Sequence, residues 1–301
     1  MHVSLVALVG AFAFRSPVVD RRSGTPSMLL DGLVRSMADA DEKAYLADPV
    51  DVSAVRLPDG FGGARDVCII FHGRGGPDRE TDDLIERVRT QDAAVGLERP
   101  AAVFDWQPWF SNQASRNSFH GQEVGRRLGR LLAAEAPDLR TVHVVGTSAG
   151  AWPANELCTS YIEAAAGDKQ RASVHLSLTD PFTARSDRPL ADGWGGRNFG
   201  ASADFAEHYL NSDDIVPSSN EPLQNCYCWD VTGAAERSSF PLPGGGSTGN
   251  PVLDAGMMLL GYHNWPMGYM ARHYETALDA EGRVVLPSHE NLPRGAVNFV
   301  L

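Results

Sequence analysis

The apolar run Thr141-Val142-His143-Val144-Val145 ends directly in Gly146-Thr147-Ser148-Ala149-Gly150, and a stretch suited to a helix follows. This strand, tight turn and helix constrain the fold more than any other feature of the chain. A serine at the point of such a turn must adopt strained backbone angles, and glycines two residues to either side let strand and helix approach without side-chain collision. Its hydroxyl then projects out of the turn. In a chain with 30 glycines the five-residue pattern alone is weak, so its weight comes from its surroundings.

Those surroundings include a second buried-strand pattern, Val67-Cys68-Ile69-Ile70-Phe71, which runs into His72-Gly73-Arg74-Gly75-Gly76. A glycine-rich loop there presents backbone N–H groups. Together with the N–H of Ala149, such donors would stabilise an oxyanion formed when Ser148 adds to a carbonyl, the chemistry of acyl transfer.

Strand and helix signals alternate along the rest of the chain. Val52 to Leu57, Ala101 to Asp105, Val174 to Leu178 and Phe205 to Leu210 read as strands. Helices are predicted from Thr81-Asp82-Asp83 onward with Leu84, Ile85 and Val88 on one face, through Val124, Leu128, Leu131 and Leu132 to a stop near Pro137, over Ala149 to Ala166, and over Met267 to Leu278. This rhythm predicts an α/β fold, a mostly parallel central sheet with helices on both faces and a ligand site beyond the carboxyl ends of its strands. The aromatic loop Trp106-Gln107-Pro108-Trp109-Phe110 falls at that end. Residues 240–256, rich in glycine and proline, read as a loop that could act as a flap over the site.

At 301 residues the chain fits one large α/β domain spanning its whole length. A formal charge of −12 argues against a nucleic-acid surface, which needs a basic stripe. Four cysteines, Cys68, Cys158, Cys226 and Cys228, show no metal-ligand spacing and read as buried free thiols. Neither a metal nor another cofactor is expected. Val3 to Phe14 reads either as a signal-like segment or as a buried first strand, which leaves a secreted and a cytoplasmic location equally open. The run is too short to span a bilayer, so no transmembrane segment is expected, and oligomeric state is not legible.

A serine oxygen is a poor nucleophile at neutral pH; a histidine must take its proton, and a buried carboxylate must hold that histidine in the right tautomer. The expected order is serine, acid, histidine. His175 and His208 lie within strands and His273 within a helix, whereas His263 occupies the loop Gly261-Tyr262-His263-Asn264-Trp265-Pro266 and is the expected base. Three carboxylates follow strands at suitable places: Asp180 in Leu178-Thr179-Asp180-Pro181, and Asp213 and Asp214 after the Phe205 strand. Trp106, Trp109, Phe110 and Trp265, with His72 and Gly73, are the expected lining of an apolar substrate pocket.

The strings from Val142 to Ala151, Phe104-Asp105-Trp106 and Leu178-Thr179-Asp180-Pro181 resemble the α/β-hydrolase superfamily, in particular its pancreatic-lipase-like serine enzymes. The resemblance covers roughly residues 65–270. It implies Asp180 as the acid, Arg74 and Ala149 as the oxyanion N–H donors, and a small-molecule or lipid ester as substrate, cleaved through an acyl-enzyme. A peptidase, a thioesterase or a polyester depolymerase would use the same residues. A catalytically silent protein of the same fold would lack one of them.

Overall fold

The computed structural model describes residues 40, 42–111, 116–167, 171–185, 193–214, 216, 218–240, 261–287 and 292–301. Seven strands form one sheet: β1 (Asp66–Phe71), β2 (Ala101–Phe104), β3 (Thr141–Thr147), β4 (Ser173–Thr179), β5 (Phe205–Leu210), β6 (Tyr227–Asp230) and β7 (Val297–Phe299). Their order is β2-β1-β3-β4-β5-β6-β7, and every neighbouring pair is parallel. Every residue of β1 and β3 is buried, as a parallel sheet covered on both faces demands.

Alternation along the strands divides the core. Val67, Ile69, Phe71, Val142, Val144, Val174 and Leu176 pack against helices α2 (Asn117–Glu135) and α3 (Ala151–Ala164). Cys68, Ile70 and Val145 face the other way, onto Leu84, Ile85 and Val88 of α1 (Arg79–Ala94) and Met267 and Met270 of α5 (Trp265–His273). A short helix, α4 (Trp194–Asn198), precedes β5. Helices thus cover both faces, as expected, and among the described residues none is long and apolar enough to cross a membrane.

Several boundaries depart from the sequence expectation. Val52 to Leu57 forms no strand; Val55 is fully buried as an anchor within a looping segment. Helix α1 begins at Arg79, because Asp78 caps it: the Asp78 carboxylate accepts from Thr81 N–H while Thr81 Oγ1 accepts from Asp78 N–H, both at 2.9 Å. Helix α5 ends at His273, where Tyr274 turns extended. The segments at residues 1–14 and 241–256 lie outside the described residues. Phe240, the one described residue of the expected flap, is buried against Trp265.

A buried polar network ties the chain after α5 to the sheet. The rings of His143 and His175 stack with centroids 4.1 Å apart, and Ser177 Oγ donates to Glu207 at 2.7 Å. Arg99 grips Asp92 through two bonds of 2.9 and 2.7 Å and donates to Tyr274 Oη at 2.8 Å, while Thr276 donates to Asp92 at 2.7 Å. Breaking a buried pair of this kind costs about 3–5 kcal/mol.

Two predictions follow from this packing. Helices α2 and α3 approach so closely that a Cβ on Gly125 would lie 2.2 Å from the Pro153 carbonyl oxygen. Gly125→Ala is therefore expected to destabilise the fold by about 1–3 kcal/mol, read from urea denaturation. Burial, aided by the charges of His175 and Arg99, holds His143 well below the usual histidine range, and burial pushes His208 down to about 3, with Asp230 opposing. As pH falls below about 6.5 the unfolded chain takes up protons that these folded imidazoles refuse, so stability falls. The urea midpoint should be lower at pH 5.5 than at pH 7.5, and His208→Leu should narrow the difference.

Candidate active site

The turn after β3 has the expected shape. Ser148 takes φ 51°, a left-handed conformation that is uncommon for any residue but glycine. Ser148–Gly150 form a 3₁₀ turn that leads into α3. A Cβ on Gly146 would lie 2.7 Å from Ala154 Cβ, and one on Gly150 would lie 2.4 Å from the Phe71 carbonyl oxygen. The first glycine therefore brings α3 down onto β3, and the second brings it against the end of β1. Phe182 N–H donates to the Ser148 carbonyl at 3.0 Å and holds the turn from the β4 side.

Because α3 touches the end of β1, the loop that leaves β1 passes beside the serine. A Cβ on Gly73 would sit 3.2 Å from Ser148 Cβ and 3.8 Å from Ser148 Oγ. His72 shapes this loop. Its Nδ1 lies 2.7 Å from the Gly73 carbonyl oxygen, which only accepts, so Nδ1 carries a proton. Its Nε2 is 3.1 Å from Trp106 N–H, and Trp106 Nε1 donates to the His72 carbonyl at 2.8 Å. Gln107 Nε2 braces the far end by donating to the Gly75 carbonyl at 3.1 Å. With the Gly73 carbonyl held by His72, the trans amide N–H of Arg74 faces the opposite side of the peptide plane.

His263 Nδ1 lies 2.5 Å from Asp214 Oδ2 and 3.8 Å from Asp180 Oδ2. The hydrogen-bonded acid is therefore Asp214, not Asp180 as the resemblance implied. Asp214 follows β5 by four residues, and its own chain holds it: Val216 N–H donates to Oδ1 at 3.1 Å and Ser219 Oγ donates to Oδ2 at 2.7 Å. Burial alone would push the Asp214 carboxyl up, but His263, Ser219 and the Val216 amide outweigh it and hold the carboxyl below its ordinary value. Asp180 lies in a drier place. Burial first, then the neighbouring Asp214 charge, push its carboxyl well above the ordinary range, against the Asn211 amide that donates to Oδ1 at 2.8 Å. Asp213, the third sequence candidate, is turned outward and paired with Arg237.

His263 was expected in a loop, but residues 261–263 are helical and only a turn at Asn264 separates them from α5; this segment is pinned at both ends. Asn211 Nδ2 donates to the Tyr262 carbonyl at 3.1 Å, and Asn264 Nδ2 reaches Glu80 Oε2 at 3.3 Å. Strand register relates this segment to the serine: Thr147 and Thr179 are direct partners, so Ser148 and Asp180 leave adjacent strand ends, roughly 4.8 Å apart in the pairing direction. His263 Nε2 is buried with no hydrogen-bond partner among the described residues, so the Ser148 hydroxyl and this nitrogen are not hydrogen-bonded in this structure.

The aromatic residues divide. Trp106 and Trp265 are fully buried core residues rather than pocket lining, each with its indole N–H on a carbonyl, His72 and Val231 respectively. His72 is likewise fully buried and braces the loop instead of meeting substrate. Trp109, Phe110 and Gly73 remain partly exposed, Ala149 partly buried at the turn, and Arg74 exposed. A cavity of about 460 Å³ lies beside Asp213, Asp214, Thr232, Arg237 and Tyr262, on the acid's side rather than the serine's. Asp180, Asp214 and His263 have potential ligand atoms within 4.8 Å of one another. Two ligands of one ion at about 2.1 Å each would sit more than about 3 Å apart, so the 2.5 Å contact as it stands is a hydrogen bond.

Neither protein-family models nor curated proteins give a match to this sequence. The residues that sequence reading missed, Asn211, Ser219, Asn264 and Gln107, all act as braces. Only Asp78 and Thr81 carried a readable signal, the spacing of a capping box.

The Gly73 contact gives a direct check. Gly73→Ala places a methyl group 3.2 Å from Ser148 Cβ, so it should lower the reactivity of Ser148 at least tenfold toward an active-serine probe. Thermal unfolding of the same variant should shift by only a few degrees.

Proposed function

We propose that this chain is a serine hydrolase of the α/β-hydrolase fold, cleaving carboxylic esters in the manner of an esterase or lipase. One observation carries the reading: a serine at φ 51° on a strand-to-helix turn, with a glycine loop packed against its side chain. A histidine bonded to a buried carboxylate two strands along the sheet completes it. The sheet order, with the serine on the third strand in sequence and the acid after the fifth, also supports this fold.

In the proposed mechanism His263 Nε2 takes the Ser148 proton as Oγ attacks the ester carbonyl. Asp214 keeps the other proton on Nδ1 and stabilises the imidazolium that forms. The carbonyl oxygen becomes an oxyanion and accepts from the N–H groups of Arg74 and Ala149, each worth about 3 kcal/mol in the transition state. Collapse expels the alcohol, which takes the proton from His263. Water then enters by the same path and releases the acid. Because Nε2 and Oγ are not bonded in the free enzyme, substrate binding draws them together, as is common for catalytic contacts that tighten only in the complex.

Purified protein should react with a fluorophosphonate probe, with the label mapping to the peptide that contains Ser148. Ser148→Ala should remove the label, and His263→Ala should slow labelling by about 10⁴-fold or more. Labelling that persists in Ser148→Ala, or an unreactive wild type that is folded by circular dichroism, would overturn the assignment.

A further inference from the structure

We propose that Asp180 is a reserve acid for the same imidazole: a second positioning residue, kept off His263 by Asp214 and able to take its place when Asp214 is lost. The inference rests on the Ser148–His263 reading above. Two carboxyl groups from different strand ends converge on one nitrogen, Asp214 Oδ2 at 2.5 Å and Asp180 Oδ2 at 3.8 Å from His263 Nδ1. That nitrogen has one proton to donate, and Asp214 has taken it.

Asp180 is not built as an ordinary core residue. Its side chain is fully buried, its Oδ1 accepts from Asn211 N–H, and its Oδ2 has no hydrogen-bond partner among the described residues. Its backbone takes φ 39°, an uncommon conformation for which local strain must be supported by the surroundings. That support is visible: Asp180 N–H donates to the Tyr209 carbonyl at 3.1 Å, and Pro181 follows directly. The turn thus holds an unsatisfied oxygen toward the imidazole.

The charged groups facing Asp180 are Asp214, Asp213, Arg237 and His263. Arg237 is committed to Asp213 through two bonds, and its charge opposes the rise of the Asp180 carboxyl without outweighing burial and Asp214. Two carboxyls so close cannot both ionise at low cost, and it is Asp180, the drier of the two, whose carboxyl is pushed well above its ordinary range, by burial first and by the Asp214 charge second. Removing the Asp214 charge removes the second of those causes, while burial, the first, remains. Asp180 then ionises more readily than in the wild type, and a movement of about 1 Å brings Oδ2 into hydrogen-bond range of Nδ1. The proton it loses passes to solvent; no other bond changes.

The test is a double-mutant cycle read by the rate of fluorophosphonate labelling and by ester turnover across pH 5 to 9. Asp214→Ala should lower the rate about 10²-fold, and Asp180→Asn added to it should lower the rate about 10²-fold further, to the level of a triad without an acid. Asp180→Asn should cost at least tenfold less in the wild-type background than in the Asp214→Ala background. The acid limb of the Asp214→Ala profile should lie at higher pH than that of the wild type, because a buried carboxyl now has to ionise, and the carboxyl's contribution to this limb should be absent in the double variant. Should Asp214→Ala unfold the protein, Asp214→Asn keeps an oxygen for the Val216 amide, puts a donating Nδ2 where Oδ2 met Ser219 and His263, and serves in the same cycle. Equal rates for Asp214→Ala and the double variant, or additive losses in the cycle, would overturn the proposal. An inert wild type would overturn both it and the reading beneath it, an outcome told apart because no variant would then differ from any other.

Discussion

The contact between the first turn of α3 and the end of β1 is the constraint on which the rest of the site depends. Gly150 has no room for a side chain against the Phe71 carbonyl, and Gly146 has none against Ala154. With those two approaches fixed, Ser148 between them is left a positive φ and an outward side chain. Such a conformation costs about 1–3 kcal/mol locally, and it persists because packing on both sides over-determines it. The same contact sets the exit of β1, so the loop from His72 to Gly76 passes the serine rather than some other strand end. One tight approach therefore positions both Ser148 and the loop amides to which the proposed mechanism assigns the developing charge.

The electrostatic half of the site is built on a different principle, an uneven division of one environment between two acids. Asp214 is surrounded by donors from its own loop and remains ionised in spite of burial, whereas Asp180 has a single amide and an open oxygen. In the proposed mechanism the carboxylate that stabilises an imidazolium has to be charged before the imidazole is. Donors decide which acid fills that role more than distance along the chain does. Asn211 links the two, since its N–H serves Asp180 and its side chain holds the carbonyl next to His263.

What could be read from the sequence follows from the range of the forces involved. The strands β1 to β5 and the turn at Ser148 are local: apolar runs and glycine spacing state them within about ten residues. β7, with three residues, carries too little periodicity to stand out, and Val52 to Leu57 has the alternation of a strand without a partner to pair with. Where a side chain points at a loop is decided by tertiary partners. Trp106 and Trp265 sit next to site residues in sequence, yet their indole N–H groups find carbonyls at His72 and Val231, and the rings go inward. The acid was undecidable for the same reason. Asp180, Asp213 and Asp214 are all strand-end carboxylates, and only the donors from Val216 and Ser219, together with the Arg237 partner that claims Asp213, separate them.

Residue type alone does not make such a site, and this chain contains its own control. Ser177, His175 and Glu207 lie within 3.1 Å of one another, a serine, an imidazole and a carboxylate as closely joined as any triad. They sit within β4 and β5, however, where Ser177 is fully buried and both neighbouring strands are paired along the register that contains them. In a paired interior strand the backbone N–H groups are spent on the ladder, so none is left to receive an oxyanion, and no ester reaches the hydroxyl. The Ser148 turn differs in the two respects that matter. It carries the hydroxyl past the end of the ladder, and it starts a helix whose first N–H groups have no intrahelical partner. Chemistry in this fold therefore belongs to the strand ends because that is where backbone donors and solvent access coincide; the same side chains one turn deeper serve only to hold the sheet together.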